Sequence, residues 1–161
     1  MKVERILCPV DFSDASGQAL EFATDLARTS GAELYVLHVI ENRPLVAPEL
    51  NYQFSPDEYF EAVKDQKQRA LSRFVERHCG LISACKLLTQ GRTVNAILQS
   101  AQAHRANLIV IATHGRSGLQ HLLYGSVAER VVRLANCPVL TVKPGAAAMV
   151  LAADRLPAEV H

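Results

Sequence analysis

The residues best equipped for chemistry lie between Ala112 and Ser126, in a run that begins Ala112-Thr113-His114-Gly115-Arg116-Ser117-Gly118 and ends Leu122-Leu123-Tyr124-Gly125-Ser126. An apolar stretch, Leu108 to Ala112, precedes it, and Ser126-Val127-Ala128-Glu129 follows, a serine with a glutamate three residues on that reads as the capping box of a helix. The run therefore joins a strand end to a helix N-terminus. The first amides of a helix lack intrahelical acceptors and the helix dipole adds partial positive charge there, so such a junction attracts anions. Gly115 and Gly125 carry no Cβ, which lets the backbone approach a ligand and turn several N–H groups toward one phosphate. Ser126 can cap the helix, donate to a phosphate oxygen, or do both. Arg116 can add a charge-assisted contact or sit solvated in the loop, and His114 can donate to a phosphate or ribose oxygen or serve the loop's own structure.

Two familiar phosphate-binding patterns are missing. No GxxxxGK[ST] occurs, and no GxGxxG follows the first apolar run. Cys8, Cys79, Cys85 and Cys137 form no CxxC pair and have no histidine at zinc spacing, so they are expected to be small buried hydrophobes in a reducing compartment. No metal cluster is visible among them.

The elements that must hold the run alternate short apolar segments with helical periods, β-α-β-α-β-α-β-α-β, which predicts an α/β fold: one domain with a five-stranded parallel sheet and helices on both faces, Rossmann-like. Strand one is read as Val3 to Cys8, ended by Pro9. Asp11-Phe12-Ser13 opens a helix with Ala19, Phe22, Ala23 and Leu26 on one face, closed by Gly31. Strand two is Glu33 to Ile40. The irregular stretch Glu41 to Phe54 is long for a compact domain and is either a lid, an interface or a tolerated insertion. Ser55-Pro56-Asp57-Glu58 starts a helix that turns Phe60, Val63, Ala70, Leu71, Phe74 and Val75 to the core and ends at Gly80. Strand three lies within Leu81 to Thr89. Thr93 caps the next helix, which shows Val94, Ile97, Leu98 and Ala101 on one face. Leu108 to Ala112, a helix from Ser126 to about Ala135, and the strand Val139 to Val142 complete the series, so residues 1–144 are read as the domain and 145–161 as a C-terminal tail. In a doubly wound sheet the winding direction reverses once, and ligands bind in the crevice at the carboxyl ends of the strands there.

With 161 residues, 49% of them hydrophobic and 20% charged, the chain is long enough for one core and too apolar for disorder. Its formal net charge of +1 and scattered basic residues leave no footprint for nucleic acid or anionic lipid. No run has the length of a signal-peptide core or a membrane span, so the expectation is a cytoplasmic protein with no nucleic-acid and no membrane partner.

The strings Ala112 to Gly118, Leu122 to Val131 and Cys137-Pro138-Val139-Leu140 closely resemble the carboxyl-terminal signature of the universal stress protein family. Ile6-Leu7-Cys8-Pro9-Val10-Asp11-Phe12-Ser13 resembles the amino-terminal one, and with Leu37-His38-Val39 and Gly91 the likeness runs from about Met1 to Pro144. It implies a fold like that of the adenine nucleotide alpha hydrolases and a regulator that binds ATP or AMP. By that resemblance Pro9, Val10 and Asp11 line the ribose and adenine side and Val39 packs on adenine. Ile111, Ala112, Thr113, His114 and Gly115, with Gly125, Ser126 and Val127, hold ribose and phosphates, and Arg116 is the added candidate contact read above. Asp11 faces either a ribose hydroxyl or a nucleotide-bound Mg²⁺, its other reading being a helix-start aspartate. The family's nucleotide-binding members have a glycine where this chain has Ala112. The resemblance also implies a homodimer through Val139, Leu140, Thr141 and Val142, an edge that would need covering in any case. Two other readings stay open, an interaction module without nucleotide and a slow ATPase or adenylate-transferring synthetase with Asp11 and His114 as its only acid–base candidates.

Overall fold

Short runs rich in Val, Ile and Leu, too short to bury a helix, pair in parallel and leave both faces of the resulting sheet to be covered by helices. In the computed structural model, which describes residues 2–41, 56–113 and 125–143, the order of elements is β1 (Arg5–Pro9), α1 (Asp14–Ser30), β2 (Glu33–Ile40), α2 (Pro56–Cys79), β3 (Ala84–Gln90), α3 (Thr93–Ala103), β4 (Leu108–Ala112), α4 (Ser126–Leu134) and β5 (Val139–Val142). The five strands are parallel in the order β3-β2-β1-β4-β5. From β1 the chain steps outward through β2 to β3, then returns to lay β4 on the other side of β1 and β5 beyond it. The winding reverses between β1 and β4.

Alternation along the strands divides the core in two. Ile6, Cys8, Val36 and Val110 pack with α1 and α2 on one face, whereas Leu7, Leu37, Ile109 and Ile111 pack with α3 and α4 on the other. Ile6, Leu7, Val36, Leu37, Ile109 and Val110 are wholly buried, and each such side chain stabilises the fold by roughly 1.5–3 kcal/mol relative to exposure. The helical faces behave as their spacing dictates. Ala19 and Ala23 of α1 are buried with Phe22 and Leu26 against them, and Val94, Ile97 and Ala101 of α3 are buried with Leu98 beside them.

Ser13 caps α1, its hydroxyl accepting from the Ser16 amide at 3.2 Å, and Gly31 closes the helix in the left-handed conformation (φ 71°) that a side chain resists. Gly17 has a different role. A Cβ on it would lie 2.6 Å from Cε1 of His78, so the missing side chain lets α2 lay the His78 ring directly on α1. Asn107 ties the start of β1 to the start of β4. Its Oδ1 accepts from the amides of Glu4 (3.1 Å) and Arg5 (3.0 Å), and its Nδ2 donates to Lys2 O at 2.9 Å.

Several element ends differ from the sequence reading. β1 starts at Arg5, the amides of Glu4 and Arg5 going to Asn107, and it includes Pro9, because the next ladder bond comes from Val10 N to Leu37 O (2.8 Å) and the proline needs no N–H. β3 starts at Ala84: Leu81 is fully exposed in a turn closed by Ile82 N to Cys79 O. Phe60 lies 42% exposed on the first turns of α2 and Val63 is only half-buried, so the core face of that helix begins at Ala70 and Leu71. Cys8 and Cys79 are buried as expected, but Cys85 is exposed on the edge strand β3 and Cys137 half-buried. The Glu41 to Phe54 stretch beyond Glu41, Ser55 as a cap, and the tail 145–161 lie outside the described residues. Among the described residues no helix is long and apolar enough to cross a membrane, and no three metal-ligating side chains gather.

Candidate functional site

The reversal between β1 and β4 opens a cleft of about 570 Å³ at the carboxyl ends of the central strands. β1 delivers Pro9 with Val10 and Asp11 after it, β2 delivers His38 and Val39 with Glu41 after it, and β4 delivers Ile111, Ala112 and then Thr113. The first turn of α4 closes one side with Gly125, Ser126 and Val127; Thr93 and Ile97 of α3 and Val63 and Lys67 of α2 complete the walls. Every described residue of the sequence-predicted set thus lines one cleft. His114, Gly115 and Arg116 lie outside the described residues.

The register of α4 decides which of its amides lack intrahelical acceptors. Gly125 is the N-cap (φ −67°, ψ 152°) with no side-chain cap bond, and the first intrahelical bond runs from Glu129 N to Gly125 O at 3.0 Å. The amides of Ser126, Val127 and Ala128 precede that bond, at the positive end of the helix dipole. The capping box read from the sequence is therefore not formed. Ser126 is the first helical residue, exposed on the cleft, and its hydroxyl does not cap the helix. Gly125 N donates instead to Thr113 O at 2.6 Å, and Thr113 N to Val142 O at 2.9 Å, so the end of β4 and the cap of α4 are bonded to each other beside β5.

Ala112 is the last residue of β4, extended and paired with Val142. Its side chain belongs to the α1-side cluster with Val10 and Val142 and is 8% exposed.

Asp11 is engaged by its own turn. Its Oδ1 accepts from the Ser13 hydroxyl (2.5 Å) and the Ser13 amide (3.1 Å), and its amide donates to Ser16 Oγ at 3.4 Å. The carboxylate that lines the cleft is thus the one that orients the α1 cap. Between them Phe12 takes a left-handed backbone (φ 66°), unusual for a bulky residue. Its ring is stacked on His38 at 4.1 Å, set edge-on to Phe74 at 5.5 Å and covered by the Lys67 ammonium at 5.7 Å. The buried His38 places Nδ1 2.8 Å from Val10 O; a carbonyl can only accept, so Nδ1 carries the proton. This stack joins β1, β2 and α2 into one wall.

Sequence reasoning missed Glu41, Lys67 and Thr93 as cleft residues. Thr93 was read as a cap, but Arg92 holds that position without a side-chain bond, and the Thr93 hydroxyl donates to Glu41 Oε1 at 2.5 Å. Nothing in the spacing of these three announces a shared surface, because they come from α2, α3 and the end of β2. Cys8, beside Pro9, is no nucleophile: it is wholly buried, and burial together with the nearby Cys79 thiol pushes its pKa well above the usual thiol range.

The universal stress protein family model matches residues 2–143. A universal stress protein of Methanocaldococcus jannaschii is 36% identical over 146 residues, covering 87% of this chain and 82% of the relative. Among solved structures, a hypothetical protein of Methanocaldococcus jannaschii superposes with a TM-score of 0.72 at 25% identity, covering 89% of this chain and 97% of that one. The universal stress protein of Archaeoglobus fulgidus in complex with dAMP superposes with a TM-score of 0.57 at 27% identity, covering 89% and 100%. On the family match and the level of identity, the chain belongs to the universal stress protein family.

Proposed function

We propose that the chain binds an adenine nucleotide, AMP or ATP, in the β1–β4 cleft and acts as a nucleotide-responsive regulator in the stress response rather than as an enzyme. The observation that carries this reading is the meeting, in one cleft, of the α4 amides with the strand-end residues Pro9, Val10, Asp11, Val39 and Ile111. The dAMP complex of the Archaeoglobus fulgidus relative supports it. Phosphate sits on the Ser126, Val127 and Ala128 amides with the Ser126 hydroxyl beside them, the base packs against Val39, and Asp11 faces the ribose or a Mg²⁺ carried in on the phosphates, with Ala112 on the floor. His114, Gly115 and Arg116 complete the phosphate side. Isothermal titration with AMP and ATP, and mass spectrometry of small molecules released from the purified protein, test it: binding is expected, and Gly125→Val, whose side chain would project at the α4 cap, weakens it at least tenfold. Absence of both heat and retained nucleotide would overturn this reading in favour of an interaction module.

The working form goes with this reading: a cytoplasmic homodimer without nucleic-acid or membrane partners. β5 is an edge of the sheet, with Val139, Leu140 and Thr141 only half-buried, and a symmetry mate would cover it. Light scattering should find a dimer in the parent protein and a monomer in Leu140→Asp; a Leu140→Asp dimer rejects β5 as the interface.

A further inference from the structure

A second cavity, of about 510 Å³, opens beside the cleft and is lined by Glu41, Gly91, Arg92, Thr93, Val94, Asn95, Val127 and Arg130. Glu41, Thr93 and Val127 line both cavities, so the two meet at the first turn of α4. Two arginines face this space, Arg92 at the α3 cap and Arg130 one turn into α4, and among the described lining residues they meet a single carboxylate. That carboxylate, Glu41, accepts from the Thr93 hydroxyl. Among the described residues neither arginine has an ion pair, and the nearby Glu129 is paired with Arg133 at 3.9 Å. Two guanidiniums without carboxylate partners among the described residues, next to the amides that would hold a first phosphate, are suited to a further anionic group on the same ligand.

We infer that this lobe is a subsite for the distal phosphates of the nucleotide, so that Arg92 and Arg130 make the protein discriminate a nucleoside polyphosphate from a monophosphate. The inference rests on the nucleotide reading above and adds to it the ligand class and the residues that select it. A phosphate on the α4 amides lies at the Val127 boundary, and a chain continuing from it enters the basic lobe. A monophosphate ends before reaching it.

Titration of the parent protein, Arg92→Gln, Arg130→Gln and the double variant with AMP and with ATP, without added divalent metal, tests this. The parent is expected to bind ATP at least tenfold more tightly than AMP. Each single variant should lose about three- to tenfold in ATP affinity, in the range of one exposed charge-assisted contact, and the double variant most of the ATP preference, while AMP affinity stays within about twofold. Both side chains are exposed, so folding is expected to be unaffected, and thermal unfolding checks it. ATP affinity unchanged in the double variant, or equal loss of AMP and ATP, overturns the subsite while leaving nucleotide binding standing. A parent protein that binds neither nucleotide overturns both.

Discussion

The contact between Gly17 and His78 makes a prediction whose sign is opposite to the general rule. Glycine inside a helix is destabilising by roughly 0.5–1 kcal/mol relative to alanine, so Gly17→Ala would ordinarily be a gain. Here the new methyl would meet Cε1, Nε2 and Nδ1 of His78 at 2.6, 2.9 and 3.2 Å, where ordinary contact begins at 3.4 Å. The ring must retreat by nearly an ångström, and it is not loose. Its side chain is 15% exposed, its Nδ1 lies 2.8 Å from Glu21 Oε1, and its face meets Phe74 at 4.5 Å. Losing the Glu21 bond costs about 1 kcal/mol, since Glu21 is half-exposed, and overpacking adds ~1–3 kcal/mol, so after the helical gain the variant is less stable by about 2 kcal/mol. Urea denaturation should report that loss, with a fall in Tm of roughly 4–8 °C. In a His78→Ala background the obstruction is gone and the same substitution should stabilise by ~0.5–1 kcal/mol, giving a coupling energy of about 2–3 kcal/mol in the double-mutant cycle. Stabilisation in the parent background, or the same loss in both, would refute the reasoning.

Two further outcomes follow from local bonding. Ser13→Ala removes both the α1 cap and the hydroxyl donor to Asp11 and should cost about 1 kcal/mol in urea denaturation; Ser13→Asp, ordinarily an equally good cap, should fail to rescue it because its carboxylate would lie against that of Asp11. In native protein an alkylating reagent should modify Cys85 first. Burial raises the pKa of Cys8, Cys79 and Cys137, which keeps these thiols protonated further up the pH scale, and Cys8 and Cys79 are also closed to reagent, so peptide mapping should find those two modified only after unfolding.

The centre of the sheet was legible because β1, β2 and β4 are buried on both faces and so declare themselves as apolar runs. β2, β4 and β5 have the bounds that their composition sets; the alternation of elements implies one reversal of winding, and only the fold places it between β1 and β4. β3 was harder. It is an edge strand without a buried residue, so its composition does not separate it from the Leu81–Ser83 turn before it. Phe60 misled for a related reason: helical spacing assigns a face, but only the packed partner decides where along a long helix that face begins to be covered, and for α2 coverage begins a few turns in, where Leu71, Phe74 and Val75 meet α1 and the sheet. The walls of the cleft that come from α2 and α3 share no motif because side chains 26 residues apart, such as Lys67 and Thr93, meet only through the topology.

The two helix starts at the cleft show a limit of cap rules that bears on the chemistry. A serine or threonine at a helix entrance can stand at the cap or one residue inside it, and the side chains alone do not decide between them. At α4 glycine is a tolerable cap, only a few tenths of a kcal/mol poorer than serine, so the backbone can place Gly125 there and carry Ser126 into the first turn. At α3 the same one-residue shift gives the cap to Arg92 and turns the Thr93 hydroxyl to Glu41. Both shifts withdraw a hydroxyl from its local backbone duty and leave it at the wall of the cleft, in one case beside the α4 amides and in the other holding the carboxylate at the mouth of the basic lobe. Residue 112 lines the cleft but stands apart from that wall in the packing of its side chain. Its methyl packs with Val10 and Val142 on the α1 side of the sheet, whereas the α4 amides without intrahelical acceptors lie on the opposite side.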